Sequence, residues 1–170
     1  LIGSPEDESD KAEYFSFDKF LLHINKAKDY QQIALDIKSD GGYVDVADKM
    51  IDVLSATKKK IRCFNSGNVC SAASKLFTIA NRDNRQFDPT KGVFLIHNPW
   101  GNVEGDSSEM AKASKELQGI ENEYAKWYAE RTGADINVIK AYMKENIPLT
   151  PEQIQELGFA TVIQPSVKAV

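Results

Sequence analysis

The sequence contains one serine and one histidine whose types and positions could support acyl-transfer chemistry. Ser71 lies among small residues in the stretch GNVCSAAS, where the chain passes into a predicted helix. His97 ends the apolar run GVFLIH and is followed by the proline turn NPWG. A serine hydroxyl becomes a nucleophile when a histidine accepts its proton. A serine at a helix start is more commonly an N-cap, so the pair alone leaves both interpretations open.

The other reactive side chains limit the chemistry further. His23 and His97 are the only two histidines of the sequence, which excludes a histidine-rich metal site. Cys63 and Cys70 form no pattern of paired spacings. This favours two buried thiols in a reducing compartment over a disulfide framework. We expect neither a metal nor an organic cofactor.

The two candidate residues follow successive strands of an alternating pattern. The predicted elements are, in order, a helix around Phe17–Ile24, the strand QQIALDI, a helix around Val44–Leu54, the strand KIRCF, the helix SAASKLFTIA and the strand GVFLIH. Such alternation predicts an α/β fold with mainly parallel strands, in which ligands bind at the carboxyl ends of the strands. The loops KSDGG, NSGNVC and NPWGN follow these strands, so we expect them to converge around Ser71 and His97.

A long helix is predicted over residues 107–131. Apolar residues recur there at alternating three- and four-residue spacing, at Met110, Ala113, Leu117, Ile120, Tyr124 and Trp127. At 1.5 Å per residue this helix would be about 37 Å long, which is more than a domain of this size needs. We expect part of it to project and pack on another subunit. The alternative is a helix that lies wholly on its own core.

The last part of the chain predicts two short helices and a strand. GADINVIKAYMKE has helical spacing, and ATVI is a strand pattern. In LTPEQIQELGF, Thr150 is the predicted N-cap, Gln153 completes a capping box and Gly158 is the predicted C-cap.

Length and charge define the class of protein. The 170 residues are 42% hydrophobic, which suits a single domain, and we place it at residues 14–170 after a flexible acidic leader over residues 1–13. The net charge is −4 and the basic residues are scattered, so no nucleic-acid surface is expected. No apolar run approaches the roughly 20 residues that cross a bilayer. We therefore expect a cytoplasmic protein that does not enter a membrane.

The stretches GNVCSAASKLFTIA, IHNPWG and LTPEQIQELGF resemble those of the Clp-type serine peptidases (ClpP). They resemble more closely the ClpP-like head-maturation proteases of phages and prophages. The resemblance covers about residues 33–163 and implies a ClpP/crotonase-like fold of repeated β-α units, with the long helix as the handle through which rings of subunits stack. It further implies a polypeptide substrate, self-association into rings, and a separate ATPase partner, because this chain has no phosphate-binding motif.

The resemblance also assigns roles to residues. Ser71 corresponds to the nucleophile and His97 to the general base. Gly42 and Ala72 correspond to the oxyanion-hole donors, through their backbone N–H groups. The family has proline where this chain has Asp40, which leaves the two glycines of the loop in place.

The acid of the triad is the main departure from the family pattern. Its position falls on Asn146, with Glu145 immediately before it. An amide oxygen can hold the imidazole tautomer but cannot stabilise an imidazolium ion as a carboxylate does. We favour Asn146 over Glu145, because neighbouring side chains of an ordered backbone point in different directions.

Two alternatives to an active peptidase remain. A catalytically weak or silent ring subunit is consistent with asparagine in the acid position. A crotonase-type acyl-CoA enzyme would share the architecture of the superfamily and would need no serine nucleophile.

Overall fold

The computed structural model describes Ile2 and residues 14–163. The helices are α1 (Phe17–Lys26), α2 (Val44–Ala56), α3 (Ala72–Phe77), α4 (Ser107–Thr132), α5 (Ile136–Glu145) and α6 (Pro151–Glu156). The strands are β1 (Gln32–Ser39), β2 (Lys60–Cys70), β3 (Gln86–Phe87), β4 (Phe94–Leu95) and β5 (Thr161–Val162). Most of the expected leader, residues 3–13, lies outside the described residues. In the part of the chain that is described, no helix is long and apolar enough to cross a membrane.

All strand pairs in the two sheets are parallel, as the alternation of helices and strands predicted. One sheet has the order β1-β2-β4, and β3 pairs with β5 in a second, two-stranded sheet. The carboxyl ends of β2 and β4 therefore meet at one edge. This edge carries the start of α3 and the loop after β4.

The prediction of a loop at NSGNVC is wrong, because these residues continue strand β2 to Cys70. Val69 and Cys70 pair with Phe94 and Leu95 of β4, and both are buried. On the other side of β2 the register shifts, so that Asn65 faces Ile37 and Val69 faces Ser39. This irregularity places two more residues on β2 than on β1. The segment between Asn65 and Val69 is polar and looks like a loop in the sequence, but it continues β2 to the residues that pair with β4.

The core lies between the parallel strands and the helices. α2 buries Ala47, Met50, Ile51 and Leu54 on one face, at the predicted helical spacing. Phe94 of β4 packs between Phe77, Phe87 and Phe159, with ring centroids 5.1 to 5.6 Å apart. The small strand β3 was not predicted, since two residues carry no period-two pattern. Its Phe87 nevertheless belongs to this aromatic cluster.

The long helix α4 agrees with its predicted bounds to within one residue. Asp106 and Glu109 form a capping box at its start, and Gly133 ends it in the left-handed conformation. No residue between positions 107 and 123, all of which are described, is buried. The buried residues of α4 begin at Tyr124. The half-buried Ile120 also packs on the core, so the part of α4 before it is left exposed.

Candidate active site

Ser71 occupies the tight turn between β2 and α3. It has φ 55° and ψ −128°, a conformation that a residue with a side chain rarely adopts. Holding such a residue costs of order 1 to 3 kcal/mol and requires the surrounding structure to fix it. Ser71 stands at the N-cap position of α3, but its side chain makes no capping hydrogen bond. The N-cap interpretation therefore does not account for its hydroxyl.

The main chain of Ser71 is bound on both sides. Its N–H donates to the carbonyl oxygen of Leu95 at 2.9 Å, and its own carbonyl accepts from the N–H of Ser74 at 2.9 Å. Leu95 ends β4 two residues before His97, so His97 lies about 7 Å further along an extended chain. The fold thus brings the turn with Ser71 and the segment with His97 to the same edge of the sheet.

His97 is half-buried in the loop after β4. The N–H of its neighbour Asn98 donates to the carbonyl of Met143 in α5 at 3.0 Å, which ties this loop to α5. Burial lowers the pKa of the His97 imidazole below its ordinary value of 6.5, although a backbone hydrogen bond with Asn98 opposes this. The ring is therefore neutral near pH 7, the state in which it can accept a proton.

Asn146 lies in a connection that is fixed at both ends to the segment carrying His97. Met143 binds Asn98 as described above, and the N–H of Leu149 donates to the carbonyl of Phe94 at 2.8 Å. Asn146 ends α5 with φ 52° and ψ 43°, in the left-handed region, where asparagine is one of the few residues with a side chain that is commonly found. This backbone conformation gives Asn146 a structural reason to be asparagine.

The side chains of the predicted triad are not joined by hydrogen bonds. Asn146 and the preceding Glu145 are both exposed. Among these described side chains there is no hydrogen bond from the His97 ring to Ser71, Asn146 or Glu145. Catalytic hydrogen bonds are often formed only when substrate is bound, so this arrangement leaves all three roles as predictions.

The glycine loop after β1 lies directly against Ser71. A Cβ atom placed on Gly41 would come within 2.6 Å of the Ser71 Cβ and 3.1 Å of its Oγ, so only glycine fits there. The Gly41 N–H donates to Ser39 Oγ at 3.1 Å, and the Tyr43 N–H donates to the Ile2 carbonyl at 2.8 Å. Between them, the Gly42 N–H has no acceptor among the described residues.

The predicted second donor is the N–H of Ala72, the first residue of α3. The first N–H groups of a helix have no partner within the helix. Gly42 and Ala72 are thus the two N–H groups beside the turn at Ser71 that the predicted oxyanion hole would use.

Sequence reasoning missed the residue that fixes the glycine loop. Asn68 donates from its amide to Asp40 Oδ1 at 2.7 Å, and its Oδ1 accepts from the Val93 N–H at 3.1 Å. One side chain thus joins the loop after β1 to the segment before β4. Asp40 is held by this bond. Asn68 carries no signal in the sequence, because its partners are 25 and 28 residues away.

Two further polar residues near the turn were also missed. Ser74 Oγ donates to the Ser71 carbonyl at 2.6 Å and lies 2.7 Å from the hydroxyl of Tyr128 in α4. Ser74 is part of the SAAS stretch, which is the one signal that could have marked it. Tyr128 falls outside the seam predicted for the long helix.

The cysteines do not compete with Ser71 as nucleophiles. Both are free and buried. Burial raises the pKa of Cys63 to about 12 and that of Cys70 to about 11, so both thiols are protonated near pH 7. Within residues 14–163 and at Ile2, no group of three or more His, Cys, Asp or Glu side chains could hold a metal ion.

Comparison with known proteins gives one consistent result. The model of the Clp protease family matches residues 5–166. The chain is 27% identical over 142 residues to ATP-dependent Clp protease proteolytic subunit 2 of Pseudomonas aeruginosa. This alignment covers 84% of this chain and 70% of that protein. It is 27% identical over 143 residues to proteolytic subunit 3 of Rhizobium etli, covering 84% and 73%.

A solved structure has the same fold. An asparagine-to-aspartate mutant of ClpP1 from Listeria monocytogenes aligns with a TM-score of 0.72 over 88% of this chain and 82% of its own. The two sequences are 22% identical in that alignment, so this likeness concerns the fold.

Proposed function

Because the chain belongs to the Clp protease family, we propose that it is a serine endopeptidase that cleaves peptide bonds through an acyl-enzyme on Ser71. The observation that carries this proposal is the conformation of Ser71. Its backbone is held in a strained turn, while its hydroxyl is left without a hydrogen-bond partner among the described residues. Strain of this kind clusters at active sites, where it presents a side chain for reaction.

In the proposed reaction, Ser71 Oγ attacks the carbonyl carbon of the scissile peptide bond while a nitrogen of His97 accepts its proton. The carbonyl oxygen becomes an oxyanion, which the N–H groups of Gly42 and Ala72 stabilise. The tetrahedral intermediate collapses as His97 returns the proton to the leaving amine, and the acyl group stays on Ser71. Water, deprotonated by His97, then releases the acyl group and restores the serine.

Asn146 completes the proposed site as the residue that orients His97, with Glu145 as the alternative. Both are within the connection that is hydrogen-bonded to Asn98 of the His97 loop at Met143 and to Phe94 of β4 at Leu149. An amide in this role predicts a slower enzyme than one with a carboxylate, since the imidazolium ion formed during attack lacks a compensating charge.

We further propose that the protein assembles into homo-oligomeric rings through the exposed first part of α4. The apolar seam there has no buried member before Tyr124, and of its residues before that point only Ile120 packs on the core of its own chain. The curated relatives are named as ATP-dependent proteases, which supports a separate ATPase partner for this chain as well. The SAAS stretch supports a place in the phage and prophage head-maturation branch, with capsid or scaffold proteins as the polypeptide substrates. In this proposal the protein is cytoplasmic and residues 14–170 form one peptidase domain.

A silent ring subunit is the second candidate function. Its specific support is Asn146, which is exposed and adopts a left-handed conformation that suits asparagine for structural reasons. The match to the Clp protease family favours an active peptidase or a silent ring subunit over an acyl-CoA enzyme.

Hydrolysis of an unfolded polypeptide tests the proposal. We expect the wild-type protein to cleave unfolded casein and Ser71→Ala to lose this activity while it keeps its fold and its particle mass. The substitution removes one oxygen that makes no capping bond, so its cost in stability should stay at or below the roughly 0.5 kcal/mol of a weak cap. Equal cleavage by a clean Ser71→Ala preparation would contradict the assignment, and absence of cleavage by both would favour the silent subunit.

A further inference from the structure

The strained backbone of Ser71 must be held by specific contacts. A residue with φ 55° and ψ −128° relaxes to an ordinary conformation unless its two peptide groups are fixed. The N–H of Ser71 is fixed by Leu95 of β4. The orientation of its carbonyl, which defines ψ, depends on whatever binds the carbonyl oxygen.

Ser74 supplies both donors to this carbonyl. Its N–H donates at 2.9 Å and its Oγ at 2.6 Å. The N–H contact is part of the turn that begins α3, and any residue at position 74 could make it. The second contact requires a hydroxyl. Ser74 is fully buried, so no solvent molecule replaces its hydroxyl if it is removed.

The direction of the next hydrogen bond follows from the donors that are available. A serine hydroxyl carries one hydrogen, and the Ser71 carbonyl can only accept. The hydrogen of Ser74 therefore points to Ser71, and Tyr128 donates its own hydrogen to Ser74 Oγ, 2.7 Å away. Burial raises the pKa of the Tyr128 hydroxyl, which keeps this donor protonated. Hydrogen bonds in such a chain polarise one another, so each strengthens the next.

Tyr128 is itself held in place. It is 1% exposed and lies on the packed last part of α4. Its ring packs edge-on against Phe159, with centroids 5.5 Å apart, and against Tyr124 at 6.0 Å. The chain of contacts therefore runs from the core-packed end of the long helix to the carbonyl of Ser71.

We propose that Ser74 and Tyr128 are positioning residues, which hold the Ser71 backbone in the conformation that presents its hydroxyl for attack. The proposal rests on the function proposed above. Neither residue touches the substrate or the reacting atoms, because both act through the carbonyl of Ser71. Tyr128 acts in turn through Ser74.

Thr78 provides a matched control within the same pair of helices. Its hydroxyl is fully buried, follows the end of α3 and accepts from the indole N–H of Trp127 in α4 at 2.9 Å. It therefore joins α3 to α4 as Ser74 does. Its own hydrogen is directed to the backbone carbonyls of Lys75, at 2.8 Å, and Ser74, at 3.2 Å, and it makes no hydrogen bond to Ser71 or to the Ser74 hydroxyl. Thr78→Val removes these side-chain bonds with little change in shape and leaves the backbone bond from the Thr78 N–H to Ser74 in place.

The experiment measures kcat and KM for hydrolysis of an activated ester by the intact protein, together with its melting temperature. We compare Ser74→Ala, Tyr128→Phe, the double variant and Thr78→Val. We expect Ser74→Ala to lower kcat about tenfold or more with KM within about twofold, because a displaced nucleophile slows the chemical step. Tyr128→Phe should lower kcat by a smaller factor.

The double variant should resemble Ser74→Ala alone, since Tyr128 acts through Ser74 and the two effects are not additive. Thr78→Val should lose thermal stability but retain the wild-type kcat. In all variants the pH at which the rate is half-maximal should stay unchanged, because none of these residues is hydrogen-bonded to His97.

Each other outcome overturns a stated part of the account. A wild-type kcat in both Ser74→Ala and Tyr128→Phe overturns the positioning role and leaves the proposed function intact. An equal loss of kcat in Thr78→Val shows a general effect of helix packing and also overturns it. A wild-type protein whose ester hydrolysis is unaffected by Ser71→Ala overturns the proposed function and the positioning role together. If Ser74→Ala does not fold, the milder Tyr128→Phe decides between these outcomes.

Discussion

Ser71 and His97 differ in how firmly hydrogen bonds fix their positions. The backbone of Ser71 is bound by Leu95 and Ser74, so its position is defined before any substrate arrives. His97 sits on a loop whose main chain is tied to α5, while its ring makes no hydrogen bond to a third residue of the predicted triad. At the scale of single residues, we therefore expect the proposed reaction rate to depend most on the orientation of His97.

Asn146→Asp should raise the rate at which Ser71 is acylated. A carboxylate would hold the imidazole tautomer and also stabilise the imidazolium ion that forms. Aspartate tolerates the left-handed conformation of this position, so the end of α5 should keep its shape. Because position 146 is exposed, solvent weakens the new charge interaction. We therefore expect a gain well below the roughly 10⁴-fold that separates the two side chains in a buried triad.

Glu145→Gln is the control for this assignment, and both variants are assayed by the rate of reaction with a fluorophosphonate probe. If Asn146 orients His97, Glu145→Gln should change the rate of reaction with the probe only slightly. Loss of reaction in Glu145→Gln, with no gain in Asn146→Asp, would transfer the role to Glu145. A rate that responds to neither variant would favour a silent subunit.

At the scale of elements, α4 serves two purposes in different parts of its length. From Tyr124 onward it packs on the core and supplies Tyr128 to the turn at Ser71. Before Tyr124 it carries half-exposed apolar residues, among them Leu117 and Ile120. A helix that stays exposed along a narrow apolar seam is well suited to pack on another helix.

Ile120→Glu should reduce the mass of the assembled particle. If the seam packs between subunits, this change would place an unpaired charge in an apolar contact, which is strongly unfavourable. Light scattering should show smaller particles, and circular dichroism should show the same helical content. Lys115→Glu introduces the same side chain at a solvent-exposed position of the same helix and should leave the mass unchanged. A particle of wild-type mass in Ile120→Glu would assign the seam to packing within one chain.

The elements also show where the sequence could and could not be interpreted. Residues whose partners are close along the chain were predicted well: the capping box at Thr150 and Gln153 is present, and α4 ends one residue beyond its predicted bound. The predicted end of β2 was wrong because the last residues of this strand pair with β4, 25 residues further along the chain. Local pattern cannot report such a partner, and the polar residues between Asn65 and Val69 are typical of a loop.

The same distinction holds for the site. Ser71 and His97 were found because their residue types and neighbours are informative by themselves. Ser74 and Tyr128 were not predicted, because the contact that makes them relevant joins residues 54 positions apart in the sequence. One is a small polar residue, and the other lies outside the predicted seam of the long helix. Asn68 was not predicted for the same reason, since its partners are also distant in the sequence. Residues that position a site are defined by tertiary contacts, which a single sequence does not display.

At the scale of the whole molecule, the parallel sheet explains why residues far apart in sequence meet at one edge. The loop after β1, the turn after β2 and the segment after β4 all lie at carboxyl ends of neighbouring strands. They bring the Gly42 N–H, Ser71 and His97 to one side of the domain, and the connection from Met143 to Leu149 is hydrogen-bonded to Asn98 and to Phe94 of β4. The fold therefore builds the proposed site from four separate parts of the chain.

The most direct test of the central claim, that Ser71 is the nucleophile, is the mass of the intact protein after reaction with a fluorophosphonate probe. The account predicts one adduct per chain, located on the peptide that contains Ser71 and absent from Ser71→Ala. Labelling carried out at a pH low enough to protonate His97 should be slower, since the ring can then no longer accept a proton. A folded wild-type protein that acquires no adduct, or an adduct on another residue, would contradict the account.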